Sequence, residues 1–308
     1  MEVVGEMKNR KFGTHNQAVA GVIEALLMVA LVSVVISMIQ LIYIPQIMEQ
    51  KEAEHMDLVS NQFSTLKSVI DTQALTGSIA TDAPLSHVPM TSMITLGSRE
   101  LPYFVTAAAF GQVSIQQDEN STIEIFQPPN PPVEVSPLTS IVYNADNFYF
   151  VDQTYILEGG GIIVAQPEGE SVMRADPSIS TKHLDDTTME MRFYLPKIVA
   201  VAGKNITSGS GKCFIRTNYS STQQISDKYI YPGQYIIIKS KYLNAWNESL
   251  NKLFGEEITK GSIKVNITDH PDPNQNIKVV QVYLLNKYII LKLTLVTIIA
   301  QVGPGWVI

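Results

Sequence analysis

Hydrophobic positions along this chain change their period twice, and each change marks a different kind of structure. From Ala18 to Pro45 the chain is apolar almost without interruption, with Glu24 and Tyr43 the ionisable exceptions, and from Ala25 to Gln46 no residue is charged. At 1.5 Å per residue that uncharged run reaches roughly 33 Å, enough to cross a hydrocarbon core of about 30 Å. It is longer than the apolar part of a secretory signal, and no small-residue cleavage site closes it. A retained transmembrane helix over 18–45 is therefore predicted, with Ala25, Leu26, Leu27, Val29, Leu31, Val34, Ile36, Ile39, Leu41 and Ile42 as its membrane anchor. Pro45 is expected to end or kink it. Beyond it, Met56, Val59, Phe63, Leu66 and Ile70 recur at alternating spacings of three and four, with Glu52, Asp57, Ser60, Thr65 and Ser68 on the other face. That pattern predicts an amphipathic stalk helix over 46–75, stopped by Thr76-Gly77. The stripe has two readings: a face packed on the following domain, or a helix–helix seam in a filament or oligomer.

From about residue 79 the period falls to two. Short runs rich in Val, Ile, Tyr, Phe and Thr occur at 93–96, 101–105, 112–116, 122–126, 139–143, 147–157 and 161–165, then at 188–194, 196–202, 212–217, 235–239, 262–268, 277–285 and 287–300. Gly, Pro, Asn and Asp separate them, as they separate strands. PPNPP at 128–132 reads as a rigid connector, and Gly159 to Gly161 as a turn or bulge. The last run is apolar enough for a second span, but Lys292 in its middle and its β-branched residues make it a buried C-terminal strand. One helix interrupts the strands at 240–254, with Tyr242, Trp246, Leu250, Leu253 and Phe254 along one side. The expected class is α+β: a long transmembrane and stalk helix, then a large, mostly antiparallel, sandwich-like β domain with one short helix. The boundaries are 1–17 leader, 18–45 span, 46–75 stalk and 76–308 exterior domain.

Charge gives this plan a direction. Lys8, Arg10 and Lys11 precede the span, whereas Glu49, Lys51, Glu52 and Glu54 follow it. The positive-inside rule puts the N-terminus in the cytoplasm and the C-terminal domain outside the cell membrane. Charges within residues 1–45 cancel, so the net −7 belongs to the exterior part. This acidic balance excludes a dedicated nucleic-acid binder, which would show a basic face. The single cysteine, Cys213, excludes an intrachain disulfide framework and any multi-cysteine metal site.

Ala18 to Ala30 reads AVAGVIEALLMVA, behind a short basic leader and a small polar linker over Gly13–Gln17. This resembles the N-terminal region of archaeal type IV pilin-like proteins, with an AVSPVIG-type start running into an aliphatic helix. Ala18, Val19, Val22, Ile23 and the Leu27–Ala30 stretch agree; Gly21 stands where proline is usual and Glu24 where glycine is usual. The segments 94–104, 147–173 and 240–246 are likewise similar to exterior domains of functionally uncharacterised pilin-like membrane proteins. The resemblance implies leader removal by a prepilin-type peptidase, with Met7 offering a second start, and other pilin-like subunits as partners beside membrane lipid. It also implies an assembly role for Glu24, as partner of the new N-terminal amine of a processed neighbour. The other reading of Glu24 is a carboxylate that snorkels to the headgroups, since a charge deeper in the span would cost about 2.5–3.5 kcal/mol.

Five N-x-Ser/Thr sequons, at Asn120, Asn205, Asn218, Asn247 and Asn266, all lie on the predicted outer side and are glycosylation candidates. Two acidic and histidine groups, His183 with Asp185 and Asp186, and Asp269 with His270 and Asp272, read as solvated turns, since neither matches a metal-binding motif. Gly211-Lys212-Cys213 fails as a phosphate loop, because Ile206 stands where a glycine is required. No catalytic residue, cofactor or metal site is predicted. The function expected is structural: a pilin-like surface or adhesion subunit, with a non-assembling ectodomain that binds a glycan, a solute or a surface-layer partner as the alternative.

Overall fold

The computed structural model describes residues 16–79, 88–97, 109–127, 134–167, 169–272 and 275–303. Helix α1 spans Asn16–Met38, a π-helical segment spans Ile39–Tyr43, and α2 spans Ile44–Ile79. The described residues contain one helix long and apolar enough to cross a membrane. Pro45 does not end it. A proline cannot donate to the carbonyl four residues back, and its ring crowds that carbonyl. Just before it the turn is widened, so that the Ile44 N–H reaches the Ile39 carbonyl five residues back. A single π turn thus carries the helix past the proline. Gly77 does not stop α2 either. A Cβ at this position would lie 2.2 Å from the ring of Tyr219, so glycine is required for close packing inside the last turn.

Fourteen strands follow among the described residues: β1 Met90–Thr95, β2 Phe110–Phe126, β3 Glu134–Asp146, β4 Thr154–Glu158, β5 Gly161–Ala165, β6 Val172–Ala175, β7 Ile179–His183, β8 Thr188–Ala200, β9 Ile206–Gly209, β10 Lys212–Ile230, β11 Tyr235–Lys239, β12 Ile263–Asp269, β13 Lys278–Leu284 and β14 Tyr288–Val302. Helix α3, Leu243–Leu253, and the single turn α4, Gly255–Thr259, lie between β11 and β12. One sheet runs β1-β10-β14-β8-β7, and the other runs β12-β13-β11-β2-β3-β4-β5-β6 with β9 also on β2. All pairings are antiparallel except β8 with β14. This is an α+β protein with a long N-terminal helix and a large, mostly antiparallel β domain. The segments 101–105 and 128–132 lie outside the described residues.

Several short runs of the sequence merge into long strands. The runs 188–194 and 196–202 form β8 through Pro196, which is tolerated because β7 pairs only as far as Phe193 and leaves the strand an edge beyond it. Likewise 112–116 and 122–126 join as β2 across a bulge between Gln117 and Thr122. The run 147–157 is a strand only from Thr154. Between β4 and β5 the chain turns on Gly159 and Gly160, both at positive φ, as a two-residue hairpin turn requires. A Cβ on Gly159 would also meet Leu138 at 2.9 Å.

Two compact units divide the chain, Met1–Gln50 and Lys51–Ile308. Within the second, buried residues form two large clusters, and each draws on both sheets. In one, Trp246 and Leu250 of α3 and Phe254 just after it pack with Met191 and Phe193 of β8 and Leu291 and Leu293 of β14. In the other, Met56, Val59, Phe63, Leu66 and Ile70 of α2 pack with Ile94, Ile115, Tyr143, Ile215 and Ile298. Strand parity separates the clusters. On β14, Ile289, Leu291, Leu293 and Leu295 enter the first, and Val296, Ile298, Ala300 and Val302 the second. Neighbours of opposite parity face opposite sides of a sheet, so β14 buries one face early and the other late. That is why 287–300 reads as one apolar run.

The α2 stripe is therefore occupied by the protein's own β domain. All five of its residues are 2% exposed or less, so the seam reading of Met56, Val59, Phe63, Leu66 and Ile70 gives way to the intradomain one. Phe63→Ala is expected to destabilise the domain by about 3–5 kcal/mol. Leu58→Ala, on the exposed face of the same helix, is expected to cost less than about 1 kcal/mol. Denaturant midpoints of the two variants check this.

Candidate functional site

The anchor residues form an exposed apolar surface interrupted only by Ser33, Ser37 and Gln40. Ala25 is exposed, and from Leu26 to Ile42 the anchor side chains are exposed to between 41% at Ile39 and 77% at Leu41. Glu24 is exposed as well, and it is the one acidic group on α1. Such a surface favours an apolar environment, and the helix that carries it is long and apolar enough to cross a membrane.

A second feature sits at the beginning of the Lys51–Ile308 unit. Glu52 is fully buried, and its carboxylate accepts three backbone N–H groups: Phe148 at 3.1 Å, Tyr149 at 2.8 Å and Phe150 at 2.7 Å. Successive amides aimed at one carboxylate make an anion nest. Charge-assisted bonds of this kind are worth about 1.5–3 kcal/mol each. They also explain why β4 starts late: the amides of 148–150 serve Glu52 and cannot join a ladder. One turn on, His55 donates from Nε2 to the Thr95 carbonyl at 3.0 Å, and burial pushes its pKa down. Gln62 closes the same edge, accepting from the Thr95 N–H at 2.8 Å.

Beside this nest an open cleft of about 470 Å³ lies between α2 and the strands β4 to β6. Asp57, Gln153, Gln166, Glu170 and Arg174 give it polar walls, and Tyr155 gives it an aromatic one. Burial raises the Tyr155 pKa, so the ring keeps its proton, and its hydroxyl donates to Gln153 Oε1 at 3.2 Å. A carboxylate pair, a guanidinium and two amides beside an aromatic face can bind a small polar molecule through hydrogen bonds.

The β4–β5 turn ties both helices to the sheets. Lys67 of α2 donates to the Gly160 carbonyl at 2.6 Å. Buried Glu158 accepts from Trp246 Nε1 of α3 at 2.8 Å and from Ser240 at 2.6 Å. Burial pushes the Glu158 carboxyl above the ordinary range, and the two donors offset only part of this.

Neither acidic and histidine group of the sequence gathers into a site. Asp185 spends one oxygen on the amides of Thr187 and Thr188 and on the Thr187 hydroxyl. These bonds hold its pKa at about 2. Its neighbour His183 faces Glu257 instead, at 3.4 Å. His270 accepts the Asp272 N–H on Nδ1 and turns Nε2 toward Glu124, 3.5 Å away. Glu124 is in turn paired with buried Lys239. Among the described residues no three His, Cys, Asp or Glu side chains converge to hold a metal ion. Cys213 is buried, and desolvation raises its pKa, which keeps it a thiol.

The sequons divide by environment. Asn120, at the β2 bulge, and Asn205, before β9, are exposed. Asn218 is half-buried with its Oδ1 shut off from solvent. Asn247 accepts from Asn251 within α3, and Asn266 lies half-buried in β12. The chain matches no family model, no curated protein and no solved structure.

Two outcomes follow from these environments. The unfolded chain ionises Glu158 at about 4.5, below the folded state. Its contribution is therefore complete below that pH and declines as the pH climbs toward the raised folded value. Glu158→Gln keeps an acceptor for Trp246 and cannot ionise. Relative to wild type its urea midpoint should rise as the pH passes upward from about 4.5, and midpoints measured across pH 4–8 check the sign. Glycopeptide mass spectrometry of protein from its own cells should find glycans on Asn120 and Asn205 in preference to Asn218 and Asn247.

Proposed function

We propose that the protein is a pilin-like cell-surface subunit, held in the cell membrane by α1 with its β domain outside, and able to assemble after its leader is removed. One observation carries this reading: the second helical stretch hides its apolar stripe in the β domain, while α1 leaves its own apolar surface free. That surface is the interaction element of the chain. Nine aliphatic anchor side chains, from Leu26 to Ile42, entering an apolar phase contribute on the order of 20 kcal/mol. A membrane supplies that phase first, and a bundle of neighbouring α1 helices supplies it in a filament. Glu24 fits the second setting, where a neighbour's N-terminal amine neutralises it. The outward domain then serves adhesion or surface contact, with glycans at its exposed sequons.

The polar cleft beside Tyr155 favours a second reading, a non-assembling anchored ectodomain that takes a glycan or solute there. The mass of the N-terminal peptide, taken from protein in its own cells, separates the two. A mature terminus between Thr14 and Ala18 is the expected result, and Glu24→Gln should then abolish filaments while the subunit stays in the membrane. An intact start at Met1 or Met7 would overturn the assembling subunit in favour of the anchored ectodomain.

A further inference from the structure

A third, small cluster of buried residues lies apart from the two large ones. It joins Phe126 of β2, Ile237 of β11 and Val279 of β13, with Tyr235 packed against it. The register sets Phe126 opposite Tyr235, Glu124 opposite Ile237 and Thr122 opposite Lys239. Strand alternation puts all six side chains on one face of the sheet. The connection from β12 to β13 covers this face, and the His270 ring meets the Phe126 ring edge-on at 5.9 Å.

An amine, a carboxamide and a carboxyl group meet there out of contact with bulk water. Lys239 is 8% exposed and Glu124 4%. Lys239 Nζ lies 2.5 Å from Glu124 Oε1 and donates to the side-chain carbonyl Oε1 of Gln275 at 2.6 Å. The Thr122 hydroxyl donates to the same Glu124 oxygen at 3.0 Å. The other oxygen, Oε2, is shut off from solvent without a hydrogen bond, and the buried His270 ring holds Nε2 3.5 Å from it. The backbone around Gln275 is held as well. Its N–H donates to the Asp272 carbonyl at 3.0 Å, its carbonyl accepts the Ile277 N–H at 2.9 Å, and the His270 N–H donates to the Ile277 carbonyl at 2.9 Å.

A surface lysine is a hydrated ammonium and does not attack amides. In an apolar setting a lysine and a glutamic acid side by side share one proton between them, and the neutral pair leaves no buried charge. A neutral amine beside a general base is an activated nucleophile. Hydrogen bonding to the Gln275 carbonyl keeps that amine within roughly 3–3.5 Å of the carbon it would attack, the separation of a near-attack conformer. Holding both partners in place removes the entropy cost that makes amide exchange slow in solution.

We infer that Lys239 and Gln275 become joined by an isopeptide bond, with Glu124 as the proton carrier. Lys239 passes a proton to Glu124, and the freed Nζ lone pair attacks Cδ of Gln275 while the carbonyl π pair moves onto Oε1. Glu124 gives its proton to Nε2 and takes one from Nζ. The carbonyl re-forms, the Cδ–Nε2 bond breaks, and ammonia leaves. It takes the last proton from Glu124 and departs as ammonium, so the carboxylate is restored and nothing is oxidised or reduced. Gln275 is half-buried, which gives the leaving group a way out. The new bond fastens β11 to the β12–β13 connection across 36 positions of sequence. It is a covalent staple of the kind that a chain with one cysteine cannot make as a disulfide.

Mass spectrometry of the full-length protein, made in a host that does not glycosylate asparagine, tests this. The chain should weigh about 17 Da less than its sequence, the mass of one ammonia. Its tryptic digest should hold a branched peptide in which Lys239 is uncut and linked to Gln275. Glu124→Gln keeps the shape of the side chain but carries no proton, and it should restore the full mass, as should Lys239→Arg. Circular dichroism shows whether each variant is folded, and the wild-type digest decides the matter even where a variant is not. Free Lys239, cut by trypsin, in folded wild-type protein would overturn the bond. So would a loss of ammonia traced to another residue, such as a cyclised N-terminal glutamine. A link that persists in folded Glu124→Gln would overturn the role given to Glu124.

Discussion

The domain depends on the burial of one face of α2. Met56, Val59, Phe63, Leu66 and Ile70 enter a cluster to which both sheets contribute, so the helix is a part of the core that the strands cannot replace. Each of those side chains removed from water is worth about 1.5–3 kcal/mol. The helix is also held by polar contacts spread along it: Glu52 to the β3–β4 loop, His55 and Gln62 to Thr95, Lys67 to Gly160 and Gln73 to the Thr217 carbonyl. Apolar burial supplies the energy, and these contacts fix the register, since sliding the helix by one residue would strand each buried group without its partner.

The buried charges obey the same logic. Glu52 is a buried carboxylate met by three amides. Glu124 has Lys239 and the Thr122 hydroxyl, and Glu158 has an indole and a hydroxyl. Glu257 lies within 3.4–3.7 Å of His183, Lys287 and Lys260. Burying a lone carboxylate is expensive, and burying one with donors is tolerated. Most of these contacts, such as Glu52 to 148–150, Glu124 to Lys239 and Glu158 to Trp246, join residues far apart in sequence, so each ties together elements that local pattern alone would not pair.

Much of this plan was legible in the sequence because it rests on periodicity. The apolar block, the three-and-four stripe and the C-terminal strand with Lys292 in its middle all followed from local pattern, and Lys292 is indeed met across the sheet by Glu190. What escaped the pattern was set by distant partners. The strand reading of 147–153 failed because Glu52, nearly a hundred residues away, takes its amides. Gly77 read as a stop, yet it is a contact point for Tyr219. The second half of β10, NYSSTQQISDKYI, looks like loop because its strand is half-exposed and bulged between Tyr219 and Ser221 and between Ile225 and Lys228. The short strands β7 and β9 carry too few apolar residues to signal burial, and β6 is only four residues long. As for the cleft, its walls come from α2 and three strands, and no local motif joins Asp57 to Arg174.

Two solvents explain the contrast between the helical stretches. A helix that is apolar all round has no face to offer water, whereas a stripe a third of the way round has one face for a core and another for solvent. The change falls near Pro45, where a π turn absorbs the missing hydrogen bond, and within one turn of it the first charges appear. Composition therefore switches from an all-apolar surface to a one-sided one where a hydrocarbon layer would end. The exposed surface of α1 is long and apolar enough to cross a membrane, an environment that would cover it. The amphipathic face of α2 shows that the same backbone, given a β domain to pack on, needs no such environment.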